Sequence, residues 1–495
     1  MNTKKPNIIF ILTDDQGYWS LGCAGNREIR TPNIDSLAAG GVRLENFFCT
    51  SPVCSPARAS ILTGKIPSQH GIHDWIRKGA GEVHGDAPVE YLDGSVGYTE
   101  LLRDNGYVCG ISGKWHLGAT SHPQKGYSHW FVTLGGSGTY HNAPAYRGTE
   151  RVETEGYLTD VITDDALSFI DECCDADQPF YLNLSYTAPH SPHVDQHKEE
   201  YVKYYYDHCT FDDVPQDPRS PWSIQAPHDI VYSLTFASKD REYLTLRDLL
   251  SGYYAAVQGV DDGVGRVIRK LEERGIRDNT IIIYSADNGF SCGQHGLWGK
   301  GNASFPLNLF DTAVKVPCIF NCPSRIKAGV VSDALLNAYD FMPTILDLAG
   351  VENPNATVLP GRSFVKLLEG EAGDYHESIT VFDEYGPNRM VRTKTWKYIR
   401  RYPYGPDELY DLEHDPAERF NLLEENRYFY YGPKFIEEKV VEMRKLLEDW
   451  FATYVDPSID GRVEPVAGRG QMCRVGTAAE GKLTFHPAVN VEYSR

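Results

Sequence analysis

The sequence predicts an α/β protein in which a large, mostly parallel sheet lies between layers of helices, joined to a smaller α+β unit near the C-terminus. Three observations carry this. Short apolar runs alternate with helical patterns over most of the chain, the pattern of strands linked by crossover helices. Several of those runs stop abruptly at polar residues, as strands do where their carboxyl ends face a ligand. From Ser378 onward the alternation gives way to short strand-like runs joined by tight turns.

The first strand is expected at 7–13, which is apolar from Ile8 to Leu12, and further strands at 107–112, 180–186, 280–285 and 316–321. Helical patterns lie between them at 33–39, 97–105, 158–172 and 243–274. The first unit therefore spans 1–377. In 378–495, strands are expected at 378–382, 390–393, 396–402 and 408–412, followed by a helix over 434–451 with apolar residues at helical spacing. A Gly-rich tail from Pro457 is expected to wrap back onto the body.

With 495 residues the chain can bury a large core, and its 41% hydrophobic and 23% charged content is ordinary for a globular protein. The net charge of −20 argues against a nucleic-acid partner, which needs a basic footprint. It also repels polyanions at long range, so an anionic substrate must be met by local positive charge. The stretch Met1 to Pro6 runs straight into the first strand, too short and too soon polar for a secretory signal. No apolar run reaches the ~18 residues of a membrane span. A cytoplasmic protein with no membrane partner is the expectation. Eleven scattered cysteines suit reduced thiols rather than a disulfide framework. Cys173, Cys174, Cys318 and Cys322 lack the second half of a zinc site and are read as structural.

Asp14-Asp15 follows the first strand and Asp287-Asn288-Gly289 follows the fourth. Two oxygen-rich pairs at strand ends suit a hard divalent cation, and the absence of a His/Cys cluster beside them argues against zinc. The alternative is that they are turn residues. In Cys54-Ser55-Pro56-Ala57-Arg58, Ser55 suits an N-cap and Pro56 the first helical position, with Gly64 able to end the helix. Cys54 then sits at the positive end of a helix dipole, or is a small buried hydrophobe. In Ser112-Gly113-Lys114-Trp115-His116, an extended chain would point Lys114 and His116 to the same side. His190 lies between prolines that stiffen its loop, and Lys300 between glycines that permit close approach of a ligand. Together these groups complement a tetrahedral oxyanion ester.

With that set the chain resembles the type I sulfatases, the formylglycine-dependent branch of the alkaline phosphatase superfamily. The resemblance rests on Cys54-Ser55-Pro56-Ala57-Arg58 with Thr63-Gly64, on 7–15, 113–118, 286–289 and 299–301, on Leu409-Tyr410-Asp411-Leu412 with Asp415-Pro416, and on 418–422. It implies an alkaline-phosphatase-like fold and hydrolysis of sulfuric esters. It implies that a separate maturation enzyme oxidises Cys54 to formylglycine, whose hydrate has one hydroxyl to attack sulfur and another whose deprotonation expels sulfate. Asp14, Asp15, Asp287 and Asn288 are then the metal ligands, completed by an oxygen of the modified Cys54, around Ca²⁺ or alternatively Mg²⁺. Arg58 holds the diol, and Lys114 and Lys300 clamp sulfate oxygens. His116 takes the proton when sulfate leaves. His190 serves the leaving alkoxide, with His193 competing for that role. Phe310-Asp311 and Lys315-Val316-Pro317 depart from the aromatic-acidic pair and later arginine of many relatives, a change expected to bear little on the chemistry.

The expected substrate is a small sulfated carbohydrate desulfated from its end, with an N-acetylhexosamine 6-sulfate favoured. Loops 71–75 and 138–142 supply His73, Asp74, Trp75, Tyr140 and His141 as candidate sugar contacts, with ordinary packing as the alternative. An arylsulfatase of broad range is one competing reading. A phosphodiesterase or phosphonate monoester hydrolase on the same fold is another, and a non-catalytic glycan-binding relative a third.

Overall fold

A computed structural model of the chain describes residues 4–73, 75–76, 83–84, 87–88, 90–237, 243–371, 373, 375–382, 388–402, 405–424, 431–457 and 460. The large sheet has ten strands: β1 (Asn7–Thr13), β2 (Val42–Phe48), β3 (Val108–Gly113), β4 (His129–Thr133), β5 (Pro144–Arg147), β6 (Glu150–Glu153), β7 (Phe180–Ser185), β8 (Thr280–Ala286), β9 (Cys318–Asn321) and β10 (Val330–Asn337). Their order is β10-β2-β9-β8-β1-β7-β3-β4-β5-β6. The central run from β8 to β4 is parallel. β9 enters antiparallel between β8 and β2, and β5 and β6 form an antiparallel edge hairpin.

Alternation along the strands fills two cores. Ile8, Phe10 and Leu12 of β1, with Ile281 and Ile283 of β8, face one. Ile9 and Ile11, with Ile282 and Tyr284, face the other. Helices α1 (Pro32–Ala39), α4 (Leu158–Asp175) and α5 (Leu246–Glu273) cover the second face. Helices α2 (Cys54–Thr63), α3 (Tyr98–Asp104) and α6 (Phe341–Ala349) cover the first. A sheet buried on both faces is what the unbroken apolar runs predict.

A separate antiparallel sheet follows, with β11 (Ile379–Phe382), β12 (Asn388–Arg392), β13 (Trp396–Arg401) and β14 (Glu408–Asp411) in sequential order. One of its faces, through Val391, Tyr398 and Leu409, packs on Ile436, Met443, Leu447 and Phe451 of α7 (Pro433–Tyr454). The other, through Val381, Met390 and Ile399, belongs to the first core of the large sheet. The tail expected to wrap back lies, from 461, outside the described residues.

β2, β4, β10 and the β5–β6 hairpin are additional to the predicted strands. β9 begins at Cys318 rather than Val316, because Pro317 has no N–H to give the ladder. All ten described cysteines are free thiols. Among the described residues no helix is long and apolar enough to cross a membrane.

Candidate active site

Four neighbouring strands deliver the site. Asp14 and Asp15 leave β1, Lys114 and His116 leave β3, His190 follows β7, and Asp287 and Asn288 leave β8. Asp15 is left-handed at φ 60°, so successive carboxylates turn in different directions. Gly113 makes the end of β3 possible: at φ 116°, an added Cβ there would lie 1.9 Å from the Ser185 carbonyl oxygen.

Cys54 is the first residue of α2, with Val53 at the N-cap and Gly64 closing the helix at φ 66°. The expected cap is therefore corrected: Ser55 lies inside the helix, and its Oγ accepts from the Ile76 N–H at 3.1 Å instead. Cys54 is 3% exposed. Its Sγ donates to Asp14 Oδ1 at 3.2 Å, and Lys300 Nζ donates to it at 2.9 Å. Burial, helped by the Asp14 charge, pushes the thiol up to about 12, so the sulfur is a neutral thiol rather than a thiolate nucleophile.

Around it stand three carboxylates and three cations, all buried. Arg58 donates from Nε to Asp287 Oδ2 at 2.8 Å and from Nη1 to Ser185 Oγ at 2.7 Å. Lys114 Nζ pairs with Asp14, and Lys300 Nζ with Asp15 Oδ1 at 2.6 Å. Burial alone would raise Asp14, but Lys114, His190, Arg58 and Lys300 outweigh it and hold the carboxyl far below its usual range. Asp287 goes the other way, to about 6, through burial and the Asp14 charge. Formal charges among these six residues cancel.

The donors fit a cation. Asp14, Asp15, Cys54 and His190 each present a ligand atom within 4.8 Å of the others. Asn288 Nδ2 donates to Asp15 Oδ1 at 2.8 Å, while its Oδ1 is buried with no hydrogen-bond partner among the described residues. An orphaned amide oxygen beside carboxylates is the kind of acceptor a hard cation takes. The absence of Cys and His near the acidic pairs, expected from the sequence, is corrected: the fold brings Cys54 and His190 to them from distant loops.

His116 also departs from expectation. At φ 55° it is left-handed, so the chain is not extended from Lys114 to His116. Its Nε2 lies 3.1 Å from the Ile76 carbonyl oxygen, which can only accept, so Nε2 carries the proton and Nδ1 the lone pair. That Nδ1 is buried and unpartnered among the described residues. Burial, with Lys114 adding, holds His116 well below its usual range. Gly136 lies flat against the ring, where a Cβ would meet Cε1 at 2.3 Å.

His190 faces the site, with Nε2 3.5 Å from Asp15 Oδ2 and Nδ1 2.7 Å from the Ser191 carbonyl oxygen. Burial lowers it. The competing His193 is boxed by Tyr253, Phe290 and Trp298, and its Nε2 is engaged by the Pro189 carbonyl.

The sulfatase family model matches residues 6–351. The chain belongs to the sulfatase family. A second model, N-sulphoglucosamine sulphohydrolase C-terminal, matches 293–445. This sulfatase is 30% identical to an N-acetylglucosamine-6-O-sulfatase of Bacteroides thetaiotaomicron, over 92% of this chain and 88% of that one. It is 28% identical to an N-acetylgalactosamine-6-sulfatase of Canis lupus familiaris, over 84% and 81%. A solved structure of an enzyme in complex with its substrate D-glucosamine-2-N,6-O-disulfate matches with a TM-score of 0.77 at 26% identity, covering 93% of this chain and 100% of that one.

The sugar loops of this sulfatase differ from what the sequence suggests. His73 is fully buried against Phe382, and Tyr140 is fully buried with its hydroxyl donating to the His190 carbonyl oxygen at 2.6 Å. Neither ring is open to stack on a sugar, because each fills the core behind the site. His141 is exposed and Trp75 half-buried, while Asp74 lies outside the described residues. Residues that sequence reasoning missed include Ser185, which accepts from Arg58 and donates to the Lys114 carbonyl at 2.8 Å. Tyr253 is another, its hydroxyl joining Gly17 N–H to the Asp15 carbonyl. The departure noted at Asp311 and Lys315 falls at the joint with the C-terminal sheet, where Asp311 pairs with Lys397 at 2.9 Å and Arg392 at 3.2 Å.

Proposed function

We propose that the protein desulfates small sulfated carbohydrates from their ends, acting on the sulfate ester of an N-acetylhexosamine 6-sulfate. The observation that carries this is charge balance around Cys54: three carboxylates cancel Arg58, Lys114 and Lys300, so a dication held there leaves a net positive pocket for a sulfate monoester in a chain of net charge −20. The relatives acting on 6-sulfated hexosamines support the sugar class.

Asp14, Asp15, Asp287 and Asn288 would hold the cation, a hard one because the donors are oxygen-rich, with Ca²⁺ preferred to Mg²⁺ on the family resemblance alone. When bound, it supplies Lewis acidity toward a sulfate oxygen and lowers the pKa of a neighbouring hydroxyl. When Cys54 is carried as formylglycine, its hydrate supplies that hydroxyl. Lys114 and Lys300 hold sulfate oxygens where negative charge grows, in a buried setting where such contacts are strong. Arg58 orients the group at position 54. The bare Nδ1 of His116 accepts a proton, and His190 attends the leaving sugar oxygen.

The test is sulfate release from sulfated mono- and disaccharides differing in ring position, beside matched phosphate esters, using protein whose Cys54 peptide has the mass of formylglycine. Release confined to a 6-sulfated N-acetylhexosamine supports the reading. Turnover of phosphate or phosphonate esters with every sulfate untouched would overturn it.

A further inference from the structure

Lys300 reaches the site from a loop, and the loop is held from behind. Asn308, 3% exposed, donates through Nδ2 to the Lys300 carbonyl oxygen at 3.0 Å and to the Gly301 carbonyl at 3.1 Å. Its own N–H also donates to the Gly301 carbonyl at 3.0 Å. The preceding carbonyl, that of Leu307, is engaged twice from the C-terminal sheet. Arg401 Nη2 donates to it at 2.9 Å and Asn388 Nδ2 at 3.2 Å. Arg401 is fully buried, paired through Nη1 with Glu408 Oε1 at 2.7 Å, and its guanidinium lies 5.3 Å over the Trp222 ring. Trp222 in turn accepts the Phe305 N–H at 2.8 Å. The stretch from Lys300 to Asn308 is thus closed on itself by Asn308 and anchored at Leu307 by two groups distant in sequence.

We propose that Asn308 is a positioning residue for Lys300, kept in register by Arg401 and Asn388 of the C-terminal sheet. This rests on Lys300 clamping sulfate, the reading proposed for the site. A lysine has four rotatable bonds, so the place of its ammonium is set only if its backbone is fixed. Three hydrogen bonds from Asn308 to the Lys300–Gly301 turn supply that fixity, and displacement of a reacting group by about 1 Å costs up to about a hundredfold in rate. The C-terminal sheet then belongs to the catalytic apparatus although none of the proposed catalytic residues lies on it.

The experiment is a double-mutant cycle on formylglycine-containing enzyme with N-acetylglucosamine 6-sulfate, comparing Asn308→Ala, Lys300→Ala and the pair, with kcat, KM and thermal unfolding recorded for each. Asn308→Ala is expected to lower kcat by about tenfold or more with KM changed less than about twofold, and to have no further effect once Lys300 is alanine. Arg401→Lys, which keeps the charge facing Glu408, is carried through the same cycle and serves alone if Asn308→Ala does not fold. Equal losses in both backgrounds would overturn the positioning role and leave Lys300 as the clamp. A Lys300→Ala enzyme as fast as its parent would overturn both.

Discussion

Lys300 Nζ lies 2.9 Å from Cys54 Sγ and 2.6 Å from Asp15 Oδ1, so one ammonium joins the group at the start of α2 to the acidic pair after β1. Its removal takes the ammonium donor from Cys54 Sγ and leaves Asp15 Oδ1 with Asn288 Nδ2 alone. Lys300→Ala is expected to lower kcat about a hundredfold to a thousandfold, with KM affected less. Steady-state sulfate release checks this, and an unchanged kcat would sink it.

Cys54→Ala is expected to abolish turnover while leaving the fold intact, since deleting one buried atom costs only about 1 kcal/mol. Turnover by folded Cys54→Ala protein, with folding followed by circular dichroism, would contradict any nucleophilic role at this position.

Cation removal is expected to silence the enzyme and lower its melting temperature, because a ligand bound only to the native state stabilises it. Adding Ca²⁺ should restore both. Asn288→Ala, which deletes the orphaned Oδ1, should raise the Ca²⁺ concentration required. Full activity after exhaustive chelation would count against a metal at this site.

Three histidines, His193 and His197 buried and His295 half-buried, set an acid limit on stability. Burial lowers His193 to about 4, His197 to about 3 and His295 to about 4. In the unfolded chain they titrate near their ordinary value of about 6.5. Between these limits the unfolded state holds more protons than the native one, so stability rises with pH and is lost as pH falls below about 6.5. At about pH 5 each histidine costs up to about 2 kcal/mol relative to neutral pH. Denaturant midpoints measured across this range should fall on the acid side, and His295→Gln should flatten the slope. A midpoint constant from about pH 7 to about pH 5 would refute the account.

Tyr140→Phe removes one atom, the hydroxyl that donates to the His190 carbonyl. A lost hydrogen bond of about 1 kcal/mol in placing His190 should lower kcat by about fivefold. The effect should grow with poorer leaving groups if His190 attends the departing oxygen as proposed. Equal losses on aryl and sugar sulfates would argue against that assignment.

Much of this was legible from residues alone, and the reasons are physical. β1 and β8 are apolar on both faces, so burial imprinted an unbroken signal on each. β2 escaped because Arg43, Glu45 and Asn46 interrupt its pattern, and β10 because Ser332 and Asp333 break its start. Asp14, Asp15, Asp287 and Asn288 announced themselves because strand ends deliver them in pairs. The turns at Asp15 and His116 did not, since a left-handed backbone at a non-glycine residue leaves no mark in composition. Ser185, Gly136 and Asn308 act through contacts that only the folded chain creates, and a serine, a glycine and an asparagine are ordinary residues until then.

The helix that begins at Cys54 is buried along its whole length. Just before it, the Thr50 carbonyl accepts the Phe382 N–H at 2.8 Å, so the C-terminal sheet closes over this segment. A ribosome makes Phe382 long after Cys54. Until then the segment ahead of Cys54 lacks its cover, and afterwards no second protein can reach the side chain without opening the core. If Cys54 is oxidised to formylglycine as proposed, that chemistry would run against a clock, and slower closure of the C-terminal sheet would give it more time.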